Sequence, residues 1–245
     1  MTIHIFSDIT QLSEAAAQFF AAQANTAVSR HGRFLTALSG GSTPRQLFTH
    51  LSQPPYSQQI PWQQTHIFWS DERLVPPNDD GSNYKQAHDT LLSKVPIPSQ
   101  NIHRALGEAD ARTAVSHYTN TLHKIAAPGH NWPQFDLILL GMGSDGHTAS
   151  LFPGPIPAEQ ENNPVTAVTA HYDGRPAQRI TFTPLLINDA HHILFLVTGA
   201  SKAHALYHVL HGQHAPAQWP AQRIQPHHGR ITWYVDTAAA SQLPT

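Results

Sequence analysis

The chain contains no cysteine. That excludes a disulfide framework, a thiol nucleophile and any cysteine-held metal or iron–sulfur site. Charge is scarce too: Asp, Glu, Lys and Arg make up 12% of the 245 residues, and the formal net charge is −2. No basic stripe of the kind that tracks a nucleic-acid backbone is present, so no nucleic acid is expected as a partner. No apolar run approaches the ~18 residues of a membrane span, so no membrane association is expected. The opening MTIHIFSDIT has no basic segment followed by an apolar one, so no export signal is expected and cytoplasmic residence is the default. GxxxxGK(S/T), the nucleotide P-loop, and HExxH, a zinc-protease pair, are both missing. Apolar residues make up 40% of the chain. What remains is a soluble globular protein long enough for one large α/β unit or two small ones. No internal repeat and no domain boundary is evident, so a single domain over residues 1–245 is expected.

Apolar runs over 3–6, 34–38, 66–70, 135–140, 179–183, 193–197 and 231–235 read as strands alternating with helical stretches. Asp8 or Thr10 is placed to cap an Ala-rich helix that runs to about Arg30 and closes at Gly32. Pro44 suits the first turn of the next helix, which carries Leu47, Phe48 and Leu51. Further helices are expected over 84–92, 110–125 and 201–210. The Pro-rich stretches 52–61 and 153–164 read as surface loops. Leu137, Ile138, Leu139 and Leu140 form a continuous apolar run, the pattern of a parallel strand covered on both faces. The order predicts an α/β fold with a doubly wound sheet.

Chemistry-bearing residues gather where these strands are expected to end, the edge at which open α/β sheets bind ligands. SGGSTP, residues 39–44, links a strand to a helix. Its glycines, Gly40 and Gly41, let backbone N–H groups approach an anion; Ser42 and Thr43 add hydroxyls; and the helix N-terminus adds partial positive charge. It reads as a phosphate cradle, although a plain Ser- or Thr-capped turn would look the same. Asp71-Glu72-Arg73 follows the strand at 66–70, either as a solvated charged turn or as a carboxylate and a guanidinium facing a pocket. Arg179 opens one strand and Lys202 opens one helix. Each can be a surface charge or a charge partner for an anion.

The most informative segment is FDLILLGMGSDGHTASLFP, residues 135–153. Its GMGSDG matches the GxGxxG of dinucleotide sites. However, Pro153, Pro155 and Pro157 leave room for only about two turns of helix after Gly146. Asp145 also puts a carboxylate where a pyrophosphate would sit, so no nicotinamide cofactor is expected. Ser144, Asp145 and His147 stand too close together in sequence for a hydrolase triad, and GxSxG is missing. His147 acting on water as a general base is the simpler reading. Among the 19 histidines, His204, His208 and His211 have a spacing that can hold a metal. Gly212 ends that helix and no acidic ligand stands near, so no metal is expected.

Together LSGGSTPRQLF (38–48), SDERLVPPNDDGSNY (70–84), FDLILLGMGSDGHTASLFPG (135–154), RITFTPLLIN (179–188) and VTGASKA (197–203) resemble the 6-phosphogluconolactonase family, in the family's order and over nearly the whole chain. The resemblance implies a Rossmann-like α/β sandwich with a mostly parallel central sheet flanked by helices. It implies hydrolysis of 6-phospho-D-glucono-1,5-lactone to 6-phospho-D-gluconate, the second step of the oxidative pentose phosphate pathway, with no metal or organic cofactor. The expected catalytic residues are His147, Asp71 and Asp145, with either carboxylate left open as the partner of His147. Oxyanion donors are expected from Arg73 and the N–H groups of the turn at 141–146. The substrate phosphate is expected on Gly40, Gly41, Ser42 and Thr43, beside Arg179 and Lys202. The related sugar-phosphate deaminases share the SGG loop and the GxDGH string, but typically carry DEY where this chain has DER and an FNEP-like string where it has LFPG. A non-catalytic sugar-phosphate sensor is the third possibility. Pro184 stands one place earlier than in the family's pattern, which leaves the end of that strand open.

Overall fold

Asp8 accepts the backbone N–H groups of Thr10 and Gln11 at 2.8 and 2.9 Å, and Gly32 closes the same helix in the left-handed conformation, so α1 spans Ile9–His31 as its caps require. The computed structural model describes residues 1–171 and 176–244. The remaining elements, in chain order with β1 at Thr2–Phe6, are β2 (Phe34–Leu38), α2 (Ser42–Leu51), α3 (Tyr56–Gln59), β3 (Thr65–Trp69), β4 (Asp71–Arg73), α4 (Asn83–Thr90) and α5 (Ala111–Ile125). There follow β5 (Leu137–Leu140), α6 (Glu159–Asn162), β6 (Val165–Thr169), β7 (Gln178–Phe182), α7 (Pro184–Ile187), β8 (His192–Val197), α8 (Ala203–His211) and β9 (Arg230–Asp236).

Six strands form one parallel sheet in the order β1-β9-β8-β5-β2-β3. The chain moves outward from β2 to β3, then returns to the other side of β2 and continues through β5, β8 and β9. That reversal opens a crevice at the carboxyl ends of β2 and β5, where ligands of such sheets bind. The apolar run of β5 is explained by its two faces. Leu137 and Leu139 pack with Leu12, Phe20 and Phe48 of α1 and α2, while Ile138 and Leu140 pack with Tyr118 and Leu122 of α5 and Leu206 of α8. Each such side chain contributes roughly 1.5–3 kcal/mol on burial. Among the described residues no helix is long and apolar enough to cross a membrane.

The structure departs from the sequence reading in several places. The strand around Arg179 is not in the main sheet; β7 is the middle of a second, antiparallel sheet of order β4-β7-β6. Asp71-Glu72-Arg73 is therefore a short strand, β4, rather than a charged turn, and β6 was not expected at all. No helix follows Gly146. Gly143 N–H donates to His147 O and Gly146 N–H to Gly143 O, which closes a tight turn, and Ala149 stands at φ 47°. That left-handed backbone is uncommon for a residue with a Cβ and interrupts any helix there. Finally, the two Pro-rich loops each contain a single helical turn, α3 and α6. Pro184 ends nothing prematurely: β7 stops at Phe182 and the proline takes the first position of α7.

Candidate active site

Three neighbouring strands, β2, β5 and β8, deliver their following loops to one cleft of about 190 Å³, lined by Gly40, Gly41, Ser42, Thr43, Asp71, Arg73, His147, Arg179 and Lys202 among others. Every residue expected to bind or react lines it except Asp145, which stands beside His147. The volume is below the roughly 300–1,000 Å³ of pockets that take drug-sized ligands, so it suits a small polar molecule.

β2 runs into α2 through Gly40 and Gly41. Gly41 is the N-cap and no side chain caps the helix, so the reading of a Ser- or Thr-capped turn is set aside. The first N–H groups of a helix have no partner inside it. Pro44 has none to give, and Gly41 N–H is engaged by Gln86 Oε1 at 3.2 Å, so the helix start offers the N–H groups of Ser42 and Thr43. Thr43 Oγ1 lies 2.8 Å from Thr198 Oγ1 after β8, which joins the loop to the third wall.

β5 ends at Leu140, and the turn behind it holds His147 Nδ1 2.6 Å from Asp145 Oδ1. A Cβ at Gly143 would collide with both atoms, so this pair requires glycine there. The His147 ring also lies 4.9 Å from the Phe152 ring, and the Arg179 guanidinium sits 5.4 Å from the centre of that same ring.

β4 and β7 supply the opposite wall. Side chains alternate along a strand, so Asp71 and Arg73 face the cleft while Glu72 points behind it. Glu72 accepts the N–H groups of Arg73, Asn83 and Tyr84 at 2.7–2.8 Å and the Ser82 hydroxyl at 3.1 Å, anchoring the start of α4. Burial pushes its carboxyl above the ordinary range, against those donors. Asp71 accepts Ser150 Oγ at 2.7 Å and Asn83 Nδ2 at 3.1 Å. Of the two carboxylates left open by the sequence, Asp145 is the one bonded to His147. Arg73 and Arg179 are direct partners across the β4–β7 pair. Like charges placed opposite each other disfavour a sheet, and both of these line the cleft. Arg73 Nη1 donates to Gly81 O at 2.6 Å, while its buried Nε makes no hydrogen bond.

Sequence reasoning missed Asn83, Ser150, Thr198 and Gln86. Asn83, Ser150 and Thr198 fall inside the quoted strings and Gln86 outside them, and neither Asn83 nor Gln86 carries a local signal that ties it to the loop at 40–41. The histidines of α8 pack on an aromatic: His208 stacks on Trp219 at 4.8 Å and His204 meets it edge-on at 5.8 Å. Among the described residues no group of three or more His, Asp and Glu is arranged to hold a metal.

The sequence model of the family described as glucosamine-6-phosphate isomerases/6-phosphogluconolactonase matches residues 7–233. The chain belongs to this family. A 6-phosphogluconolactonase of Nostoc sp. is 38% identical over 246 residues, covering 99% of this chain and 98% of the relative. A solved 6-phosphogluconolactonase from Trypanosoma brucei is 26% identical with a TM-score of 0.86, covering 99% and 98% of the two chains. A monomeric glucosamine-6-phosphate deaminase of 21% identity reaches a TM-score of 0.84 with 99% and 100% covered. The fold is thus common to both branches of the family, and the branch has to be decided by the site and by the near full-length relative.

Proposed function

We propose that this enzyme hydrolyses 6-phospho-D-glucono-1,5-lactone to 6-phospho-D-gluconate in the oxidative pentose phosphate pathway, with His147 as the general base. The observation that carries the reading is the meeting, in one small polar cleft, of the His147–Asp145 pair with the facing arginines Arg73 and Arg179. The first suits activation of water, the second an anionic substrate. A phosphorylated lactone needs both.

In this mechanism Asp145 holds the proton on Nδ1, so Nε2 of neutral His147 takes a proton from the water that attacks C1. The imidazolium then returns that proton to the ring oxygen as the C1–O bond breaks, and Asp145 stabilises its charge meanwhile. A placed base of this kind contributes about 10²–10⁴-fold. The oxyanion at C1 is assigned to Arg73, which lines the cleft; of the turn's N–H groups, those of Gly143 and Gly146 are spent inside it. The phosphate lies on the N–H groups of Ser42 and Thr43 with Arg179 and Lys202 as charge partners. Asp71, with Ser150 and Asn83 fixing its two oxygens, accepts a sugar hydroxyl. Cytoplasmic residence belongs to the same proposal.

The test is lactone hydrolysis above the spontaneous background, with His147→Ala as control. The wild type is expected to turn over the phosphorylated lactone, and the variant to lose at least about 10²-fold in kcat. Ammonia release from glucosamine 6-phosphate without lactone turnover would overturn the reading in favour of the deaminase branch.

A further inference from the structure

The loop that receives the phosphate is held from outside the cleft. Gly40 and Gly41 have no side chains to fix them, and a two-glycine link left alone samples many backbone states. Two residues three apart on α4, and so on one face of that helix, stand against it. The Gln86 carboxamide pairs with the Gly41 peptide in both directions: Oε1 accepts Gly41 N–H at 3.2 Å and Nε2 donates to Gly41 O at 2.7 Å. Gly41 stands at φ 121°, a conformation closed to residues with a Cβ. The Asn83 side chain is 2% exposed and fills the floor under Gly40, where any Cβ would collide with Asn83 Oδ1. That oxygen is buried with no hydrogen-bond partner, a costly state, while Nδ2 donates to Asp71 O and Oδ1 at 2.9 and 3.1 Å.

We infer that Gln86, supported by Asn83, is a positioning residue that sets the affinity of the cleft for the substrate's phosphate. Gln86 does not line the cleft. It acts by holding Gly41 in the conformation that aims the N–H groups of Ser42 and Thr43 inward, so the loop is ordered before the anion arrives and binding does not bear that entropy. The inference rests on the reading of the cleft as a phosphosugar site.

The experiment compares the wild type with Gln86→Met, which keeps the length of the side chain and removes its amide, and with Gln86→Asn, which withdraws the amide by one methylene. Binding of inorganic phosphate is measured by calorimetry, and lactone turnover by steady-state kinetics. In both variants the Kd for phosphate is expected to rise about five- to thirtyfold, the factor that corresponds to ordering one residue's backbone. KM for the phosphorylated lactone rises in step and kcat stays within about twofold. Unchanged Kd and KM, or a loss of kcat at constant KM, would overturn the inference, as would a wild type that binds no phosphate. A wild type that binds phosphate without hydrolysing the lactone would sink the proposed function alone, and the calorimetric comparison would still judge Gln86.

Discussion

His147 and Asp145 sit two residues apart, and their 2.6 Å bond depends on a third position that has no side chain. Replacing Asp145 by Asn would offer an N–H to Nδ1 and drive the ring proton to Nε2, the wrong nitrogen for a base. Asp145→Asn is therefore expected to lower kcat by at least about 10²-fold while KM changes little, as read by initial rates across a substrate series. Gly143→Ala should reach a similar loss through displacement of the ring, since misplacing a catalytic group by about 1 Å costs about 10²-fold. Most of the cleft's lining was legible in the sequence because those residues lie within a few positions of a strand end. Asn83 and Gln86 were not legible. They are ordinary polar residues of a helix, and only the packing of α4 against the loop after β2 gives them a task.

At the scale of elements, the second sheet is what sequence periodicity could not deliver. A strand of three residues, Asp71-Glu72-Arg73, shows no alternation that a charged turn would lack, and β6 reads as a short link between prolines and polar residues. The helix expected after Gly146 failed for the opposite reason: the local hydrogen bonds of the Gly143–His147 turn outweigh propensity. The segment at 215–223 supports that turn from behind. Ala221 N–H donates to Gly146 O, and Gly154 N–H donates to Ala217 O. Arg223, 9% exposed, donates to Pro216 O at 2.8 Å, Gln160 Oε1 at 3.1 Å and Phe152 O at 3.2 Å. Burial lowers its basicity, and carbonyl dipoles are what hold it. Arg223→Met leaves those acceptors without donors. It should cost about 1–3 kcal/mol in urea unfolding and reduce kcat through Phe152, the neighbour of His147. Wild-type stability with wild-type kcat would show that the strap is dispensable.

For the whole molecule, two charge arrangements set the response to solution conditions. Arg73 and Arg179 are register partners across the β4–β7 pair and both line the cleft, so the proposed phosphate meets more than one cation there. Inorganic phosphate is expected to raise the melting temperature, by linkage about 2.7 kcal/mol at a hundred times its Kd, and Arg179→Gln should shrink the rise to less than about half in the same thermal scan. Far from the cleft, His103 stacks on Phe68 and lies 3.1 Å from His66. Burial, and then the neighbouring His66, push His103 down from 6.5 to about 4. Burial and Arg33 lower His66 as well. The unfolded chain thus binds more protons than the folded one between those two values, so stability falls as pH drops through that window and is intact above it. Carboxylates such as Glu108, held down to about 2 by Arg104, start to cost stability only below their ordinary 4.5. Melting temperature between pH 6.5 and 4.5 should therefore slope downward in the wild type and less steeply in His103→Phe, which keeps the stack on Phe68 and leaves the buried His66 and His192 to contribute the rest.

The split into two sheets also separates what can be altered from what cannot. His147 and Asp145, the proposed base and its orienting acid, hang from β5 of the parallel sheet, while the facing arginines and Asp71 ride on β4 and β7 of the antiparallel one. A designer who wants another ring size or another anionic group can randomise cleft-facing positions on those two short strands, with the proton-transfer machinery on a different layer kept as a fixed cassette. A family that joins glucosamine-6-phosphate isomerases and 6-phosphogluconolactonases on one scaffold is what such a division of labour permits.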